Sequence, residues 1–261
     1  MDASYKLYYV INDVLSYSQF KQAGAKQCLI SFFYLRKNQA LYDLLVNDKD
    51  INIVVDSGLY SFFNSVEINE IEARKYSEEY IKFVSENCRH DNFVGFFELD
   101  FDLIGLDYYE FVKPYQARLL ELTDKIILIM QKKRTMQDLD EMLEKDIKTI
   151  AIPFSSNKER KYFDYISIID KAHSKNKGVH LLGCATVKYL PLCEQSDSNT
   201  WQFAAAFGEQ IFLIDGKLKR KHWKNCPEVS TDYRERRIRN VQSLMQMEQL
   251  ISQIKHNTKE D

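Results

Sequence analysis

Glycine and proline are scarce in this chain, at eight and four of 261 residues. No Pro/Gly/Ser-rich stretch stands out as a linker, so the chain reads as one large domain. Cysteines are few as well: Cys28, Cys88, Cys184, Cys193 and Cys226. They are odd in number, widely spaced and without a C-x-x-C pair, which excludes a zinc-finger pattern and points to free thiols in a reducing cytoplasm. The N-terminus lacks the basic, apolar and small-residue succession of a secretory signal. No apolar run reaches the roughly 18 residues that a membrane span takes, so no membrane partner is expected. Neither sign of charge prevails, with 36 Lys+Arg against 38 Asp+Glu and a formal net charge of −2. Any affinity for nucleic acid therefore rests on local patches, not on a global field.

What the chain does have is alternation. Short apolar runs at 28–33, 51–55, 93–99, 125–130, 149–153, 179–182 and 210–214 read as strands, with an eighth at 194–197. Between them lie helix-like segments at 67–88, 108–122, 136–143 and 158–174, and a short one at 187–192. Strand and helix in turn imply right-handed βαβ units and a mainly parallel sheet. Eight strands would close an α/β barrel of the (β/α)8 TIM type over residues 1–229; an open doubly wound sheet is the competitor. Acids after distant strands favour the barrel, where all such loops meet on one face. Residues 230–261 are expected to form a C-terminal helix packed on it, with Ile238, Val241, Leu244, Met245, Leu250, Ile251 and Ile254 as its apolar stripe.

Three strand-like runs end in polar residues suited to chemistry. The run 51–55 ends in Asp56-Ser57-Gly58; the run 93–99 carries Glu98 and ends at Asp100, with Asp102 beyond; His180 to Gly183 is followed by Asp197. Each has a plainer reading. Asp56 and Asp197 could cap the helices that follow, and His180 in an apolar strand could be a hydrogen-bonded core residue.

Taken in order, strand-Asp-Ser-Gly, strand-Asp, His-Leu-Leu-Gly and a later Asp resemble the tRNA-guanine transglycosylase superfamily, especially its compact viral and bacterial members. The resemblance implies a (β/α)8 barrel that exchanges guanine for a 7-deazaguanine base in DNA or tRNA through a covalent aspartyl-glycosyl intermediate. It implies Asp197 as nucleophile, Asp56 as its acid/base partner, and Asp100, Ser57, Gly58 and Gly183 around the guanine-like base. The chain departs from the family at Leu59-Tyr60-Ser61, where the usual continuation is Gly-Phe-Gln, and only His222 and Cys226 lie where full-length members bind zinc. The alternatives are an N-glycosidase or nucleotide hydrolase, and a non-catalytic base-binding barrel in a modification or defence system.

The chemistry itself asks for two carboxylates: one beside the anomeric carbon, and a proton donor near the departing base. No metal or organic cofactor is required. Trp201, Tyr60, Phe62 or Phe63 could stack on an extruded base. A basic cluster, including Lys219, Arg220, Lys221 and Lys224 around Trp223, is the one segment with a nucleic-acid signature, although Asp215 and Glu228 interrupt it. Members of the family pair as dimers, which the stripe of the last helix permits.

Overall fold

The computed structural model describes residues 4–63, 69–101, 111–131, 134–154, 164–183 and 189–260. The chain runs β1 (Lys6–Ile11), α1 (Val14–Gln22), β2 (Gln27–Ser31), the single turn α2 (Phe32–Leu35), α3 (Gln39–Asn47) and β3 (Asn52–Asp56). It continues through α4 (Leu59–Phe63), α5 (Glu70–Asn87), β4 (Phe93–Phe97), α6 (Lys113–Leu122), β5 (Ile126–Ile129), α7 (Met136–Leu143) and β6 (Thr149–Pro153). Then follow α8 (Tyr165–Ser174), β7 (Gly178–Leu182), β8 (Gln195–Ser198), α9 (Thr200–Ala206), β9 (Glu209–Ile214), β10 (Lys217–His222) and α10 (Tyr233–Glu260). Strands β1 to β8 pair in order, all parallel, and β8 pairs with β1, so the sheet is a closed eight-stranded barrel of the TIM type.

Most of the barrel strands are apolar on both faces because both faces are covered; β8, Gln-Ser-Asp-Ser, is the exception. Side chains alternate along a strand, so one set fills the barrel and the other meets the helices. Tyr8, Leu29, Val54, Phe97, Ile127, Ile129 and Ala151, with Val10 and Leu182, form the interior cluster. The opposite set, including Leu7, Tyr9, Ile30, Val55, Phe96 and Leu128, packs in the outer core with the helices. Short polar residues start the helices: Asp13, Asn38, Asn69, Thr135 and Asp164 each accept a hydrogen bond from an amide of the first turn.

Two strands differ from the sequence reading. The barrel begins at β1, a Lys-Leu-Tyr-Tyr-Val-Ile segment absent from that reading, while residues 210–214 lie in β9, paired antiparallel with β10 in a separate hairpin. Periodicity shows that a segment is buried but not what buries it. Here α10 covers β9, with Asn240 accepting from the Ile211 amide at 2.6 Å. The start of the helix expected at 108–122, the first part of that at 158–174 and the start of that at 187–192 lie outside the described residues, as do Asp102 and Cys184.

The C-terminal helix is present as α10. Val241, Leu244, Met247 and Ile251 are buried against the barrel, with Ile238 and Met245 partly so. Its polar residues add specific ties: Glu248 accepts from the Leu7 amide at 3.1 Å and Lys255 reaches Glu194 at 3.1 Å. Among the described residues no helix is long and apolar enough to cross a membrane.

Glu98 faces away from the barrel interior. Its Oε1 accepts from the Ile129 amide and lies 2.7 Å from Arg134 Nη1, and Oε2 accepts from Gln116 at 2.6 Å. Both partners of the ion pair are buried, so Glu98 is a strut between β4, β5 and α6. Removing one partner strands a charge away from water. Glu98→Ala is therefore expected to lower unfolding free energy by about 3–5 kcal/mol, read by urea denaturation.

Candidate active site

Parity along the strands decides which acids enter the barrel. Position 56 shares the phase of Val54, and position 197 registers beside Tyr8 of β1; Val54 and Tyr8 both fill the interior. Asp56 and Asp197 are thus the inward residues at the C-terminal ends of β3 and β8. That is the end of a parallel barrel where loops converge.

Each aspartate is held by the amide of a glycine with positive φ. Gly58 (φ 74°) donates to Asp56 Oδ2 at 3.0 Å, and Gly183 (φ 66°) donates to Asp197 Oδ1 at 2.8 Å. Such a conformation is easy for glycine and costly for other residues. His180, on β7 inside the barrel, lies with Nε2 3.0 Å from the same Asp197 Oδ1. Its ring packs edge-on against Phe97, centroids 5.0 Å apart. Asp197 Oδ2 makes no hydrogen bond among the described residues, and neither does His180 Nδ1, which is buried.

Asp56 senses the charge of Asp197. Asp56 is pushed from 3.8 up to about 6, first by removal from water and then by the negative charge of Asp197, against the pull of the Gly58 and Ser57 amides. A carboxyl in that range can be protonated and can give its proton up near neutral pH. Beside Asp56 opens a cavity of about 500 Å³, lined by Val10, Asn12, Ser31, Tyr34, Gln202, Phe203 and Tyr233, among others. Its size is that of a small-molecule site.

The other expected site residues fall differently. Ser57, just past β3, is buried, and Tyr76 of α5 donates to its carbonyl at 2.7 Å. Asp100 is half-buried beyond β4 and does not line the cavity. Trp201 is fully buried, its indole donating to Val10 O at 3.1 Å and the Arg237 guanidinium lying 4.7 Å over its ring. It supports the cavity wall and has no face left for a base. Phe62 is likewise buried, stacked on Tyr76; the side chains of Tyr60 and Phe63 lie outside the description. Lys219, Arg220 and Lys221 lie on β10 and Lys224 just after it, outside the barrel.

What the sequence reading missed comes mainly from β1 and α9: Val10 and Asn12, and Gln202, Phe203 and Tyr233 beyond. His180 was read as a core histidine, which it is; its contact with Asp197 depends on β7 and β8 being neighbours. Among the described residues no group of three or more His, Cys, Asp and Glu is placed to hold a metal ion.

No protein-family model and no curated relative matches the sequence. Solved structures do share the fold. A protein of Coccidioides immitis assigned as a fructose-1,6-biphosphate aldolase superposes with a TM-score of 0.51 at 11% identity, covering 95% of this chain and 90% of its own. The YdjI aldolase of Escherichia coli K12 gives 0.51 at 8% identity, again over 95% and 90%. These findings overturn the transglycosylase resemblance: both of these barrels carry aldolase names, neither is a transglycosylase, and no family model supports the motif order. The physical reason lies in the fold. A closed parallel barrel brings every strand end to one face, so acids and glycines after successive strands follow from the architecture as readily as from ancestry.

The glycine cradles differ in a testable way. A Cβ on Gly58 would sit 2.5 Å from Ser31 Oγ and 2.7 Å from the Phe33 amide, whereas one on Gly183 meets nothing within 4 Å. Gly183→Ala should cost about 1–2 kcal/mol, the backbone strain alone. Gly58→Ala should cost clearly more and displace Asp56; thermal unfolding of the two variants side by side makes the comparison.

Proposed function

We propose that this barrel is an enzyme acting on the N-glycosidic bond of a nucleobase–sugar unit. The observation that carries the reading is the pairing of two inward carboxylates in unlike settings: Asp56, raised to about 6, and Asp197, fixed by a glycine amide and a histidine. Two acids with separate environments are what glycosidic cleavage uses, one to protonate the leaving group and one to meet the anomeric carbon.

In the proposed reaction Asp197 Oδ2 forms a bond to the anomeric carbon as the carbon–nitrogen bond breaks. The bonding pair leaves with the base, which takes the Asp56 proton. The glycosyl ester is then opened by water, giving hydrolysis, or by a second base, giving exchange. The incoming nucleophile loses its proton to Asp56, the ester oxygen returns to Asp197 with its electron pair, and both acids are restored. Buried His180 is a positioning residue, holding Oδ1 so that Oδ2 faces the sugar. The cavity beside Asp56 would take the base. Tyr34, Phe203 and Tyr233 on its walls suit a flat ring.

Aldol cleavage through a Schiff base, one chemistry that the fold's neighbours bring to mind, needs a different site. A Schiff base takes a lysine, and among the described residues lining the cavity there is none.

The test is release of free base from a panel of purine nucleosides and oligonucleotides. Asp197→Asn should reduce release at least about 10³-fold while the protein stays folded. With Asp56 protonated in the active form, the rate should fall as pH rises through about 6, and Asp56→Asn should remove that limb together with most of the activity. Base release undiminished in Asp197→Asn would reject the assignment.

A further inference from the structure

A row of exposed aromatic rings leads from the cavity mouth to the basic strand β10. Phe203 and Phe207 lie four residues apart on and just after α9, hence on one face, and they are 54% and 70% exposed. The Trp223 amide donates to Gly208 O at 3.1 Å, which sets Trp223, 40% exposed, beside Phe207. The His222 ring stacks against the indole at 5.6 Å and 26°. Phe203 also lines the cavity that holds Asp56. The row therefore starts in the cavity lining at Phe203.

The strand beside it is basic throughout. Residues 217–224 hold five cations, Lys217, Lys219, Arg220, Lys221 and Lys224, and no acid. Leu218 packs into the core, so Lys217, Lys219 and Lys221 share the opposite face, repeating every two residues or about 6.8 Å, the scale of successive phosphates along an extended strand. Lys224 Nζ is 5.6 Å from the Trp223 ring centre. Glu209 and Glu228 lie nearby but are met by Arg220 at 3.6 Å and Lys221 at 3.4 Å. Among the described residues Lys219 makes no ion pair.

We infer that this surface binds single-stranded nucleic acid, with bases stacked on Phe203, Phe207 and Trp223 and phosphates on Lys217, Lys219, Lys221 and Lys224. Flat rings flanked by cations are what a single strand requires, since every base has a face to stack and every link a charge. The inference rests on the proposed function in one respect: a strand on this track would deliver one of its bases to the cavity.

The test uses the full chain and a labelled twelve-nucleotide oligo-dT, with fluorescence anisotropy as the readout. Binding should weaken with salt, and Phe207→Ala and Trp223→Ala should each reduce affinity about tenfold. Lys219→Glu combined with Lys221→Glu should flatten the salt dependence by about 1.4 in the slope of log K against log salt. Of the two tryptophans Trp201 is buried, so quenching of emission by the oligonucleotide reports on Trp223. Affinity unchanged in both aromatic variants would overturn the inference, as would equal binding of poly-glutamate or no binding at low salt. The two readings fail separately. Strand binding without base release sinks the glycosidic chemistry alone. Base release from free nucleosides without strand binding sinks this surface alone.

Discussion

Closure of the barrel between β8 and β1 is the constraint on which the rest depends. Tyr8 registers with Asp197 across that seam, and only in a closed sheet do β3 and β8, remote in sequence, present their end residues to one interior. From this follow the influence of Asp197 on Asp56, the cavity beside Asp56, and the docking of α10 over β1. Tyr5 hydrogen-bonds to Ser196 across the same seam, while α10 reaches β1 through Glu248 and the segment before β8 through Lys255. The site and the closure of the fold are therefore one structural problem.

Holding two acids together works against stability, and the local structure shows how the cost is contained. Glycine amides face both carboxylates, and such donors need no side chain to be ordered. Asp56 still prefers its proton. A carboxyl raised above its ordinary range adds stability at low pH that is lost as pH rises through about 6. A fold that tolerates this keeps a group poised for proton transfer near neutrality, a common bargain at functional sites. Glu98 shows the contrast: it is as deeply enclosed but fully engaged by Arg134, Gln116 and a backbone amide, and it supports the wall without facing the cavity.

The sequence made the barrel and Asp56 legible because a β-branched run ending in an acid marks a buried strand with a polar end, as in β3; Asp197, in the polar strand β8, stood out only by its place in the order of motifs. The sequence hid β1, whose adjacent Tyr8 and Tyr9 do not look like a buried parallel strand, and it misplaced 210–214, because an apolar run does not say whether strands or a helix cover it. Trp201 shows the limit for single residues: an aromatic after an acidic loop fits a stacking role until Arg237 and Val10 are seen to enclose it. His180 shows the reverse, since its contact with Asp197 exists only through the adjacency of β7 and β8. The short motifs suggested a lineage that the comparisons do not support, because a closed parallel barrel gathers strand-end acids and glycines on one face whatever its ancestry.

The central claim is that Asp56 and Asp197 share one electrostatic site. Carbon-13 NMR of aspartate side-chain carboxyls, titrated in the wild type and in Asp197→Asn, tests it directly. The account predicts an Asp56 midpoint near 6 in the wild type that moves down, without reaching the ordinary range, once the neighbouring charge is gone, because burial remains. A midpoint in the ordinary carboxylate range, or one indifferent to Asp197→Asn, would contradict it.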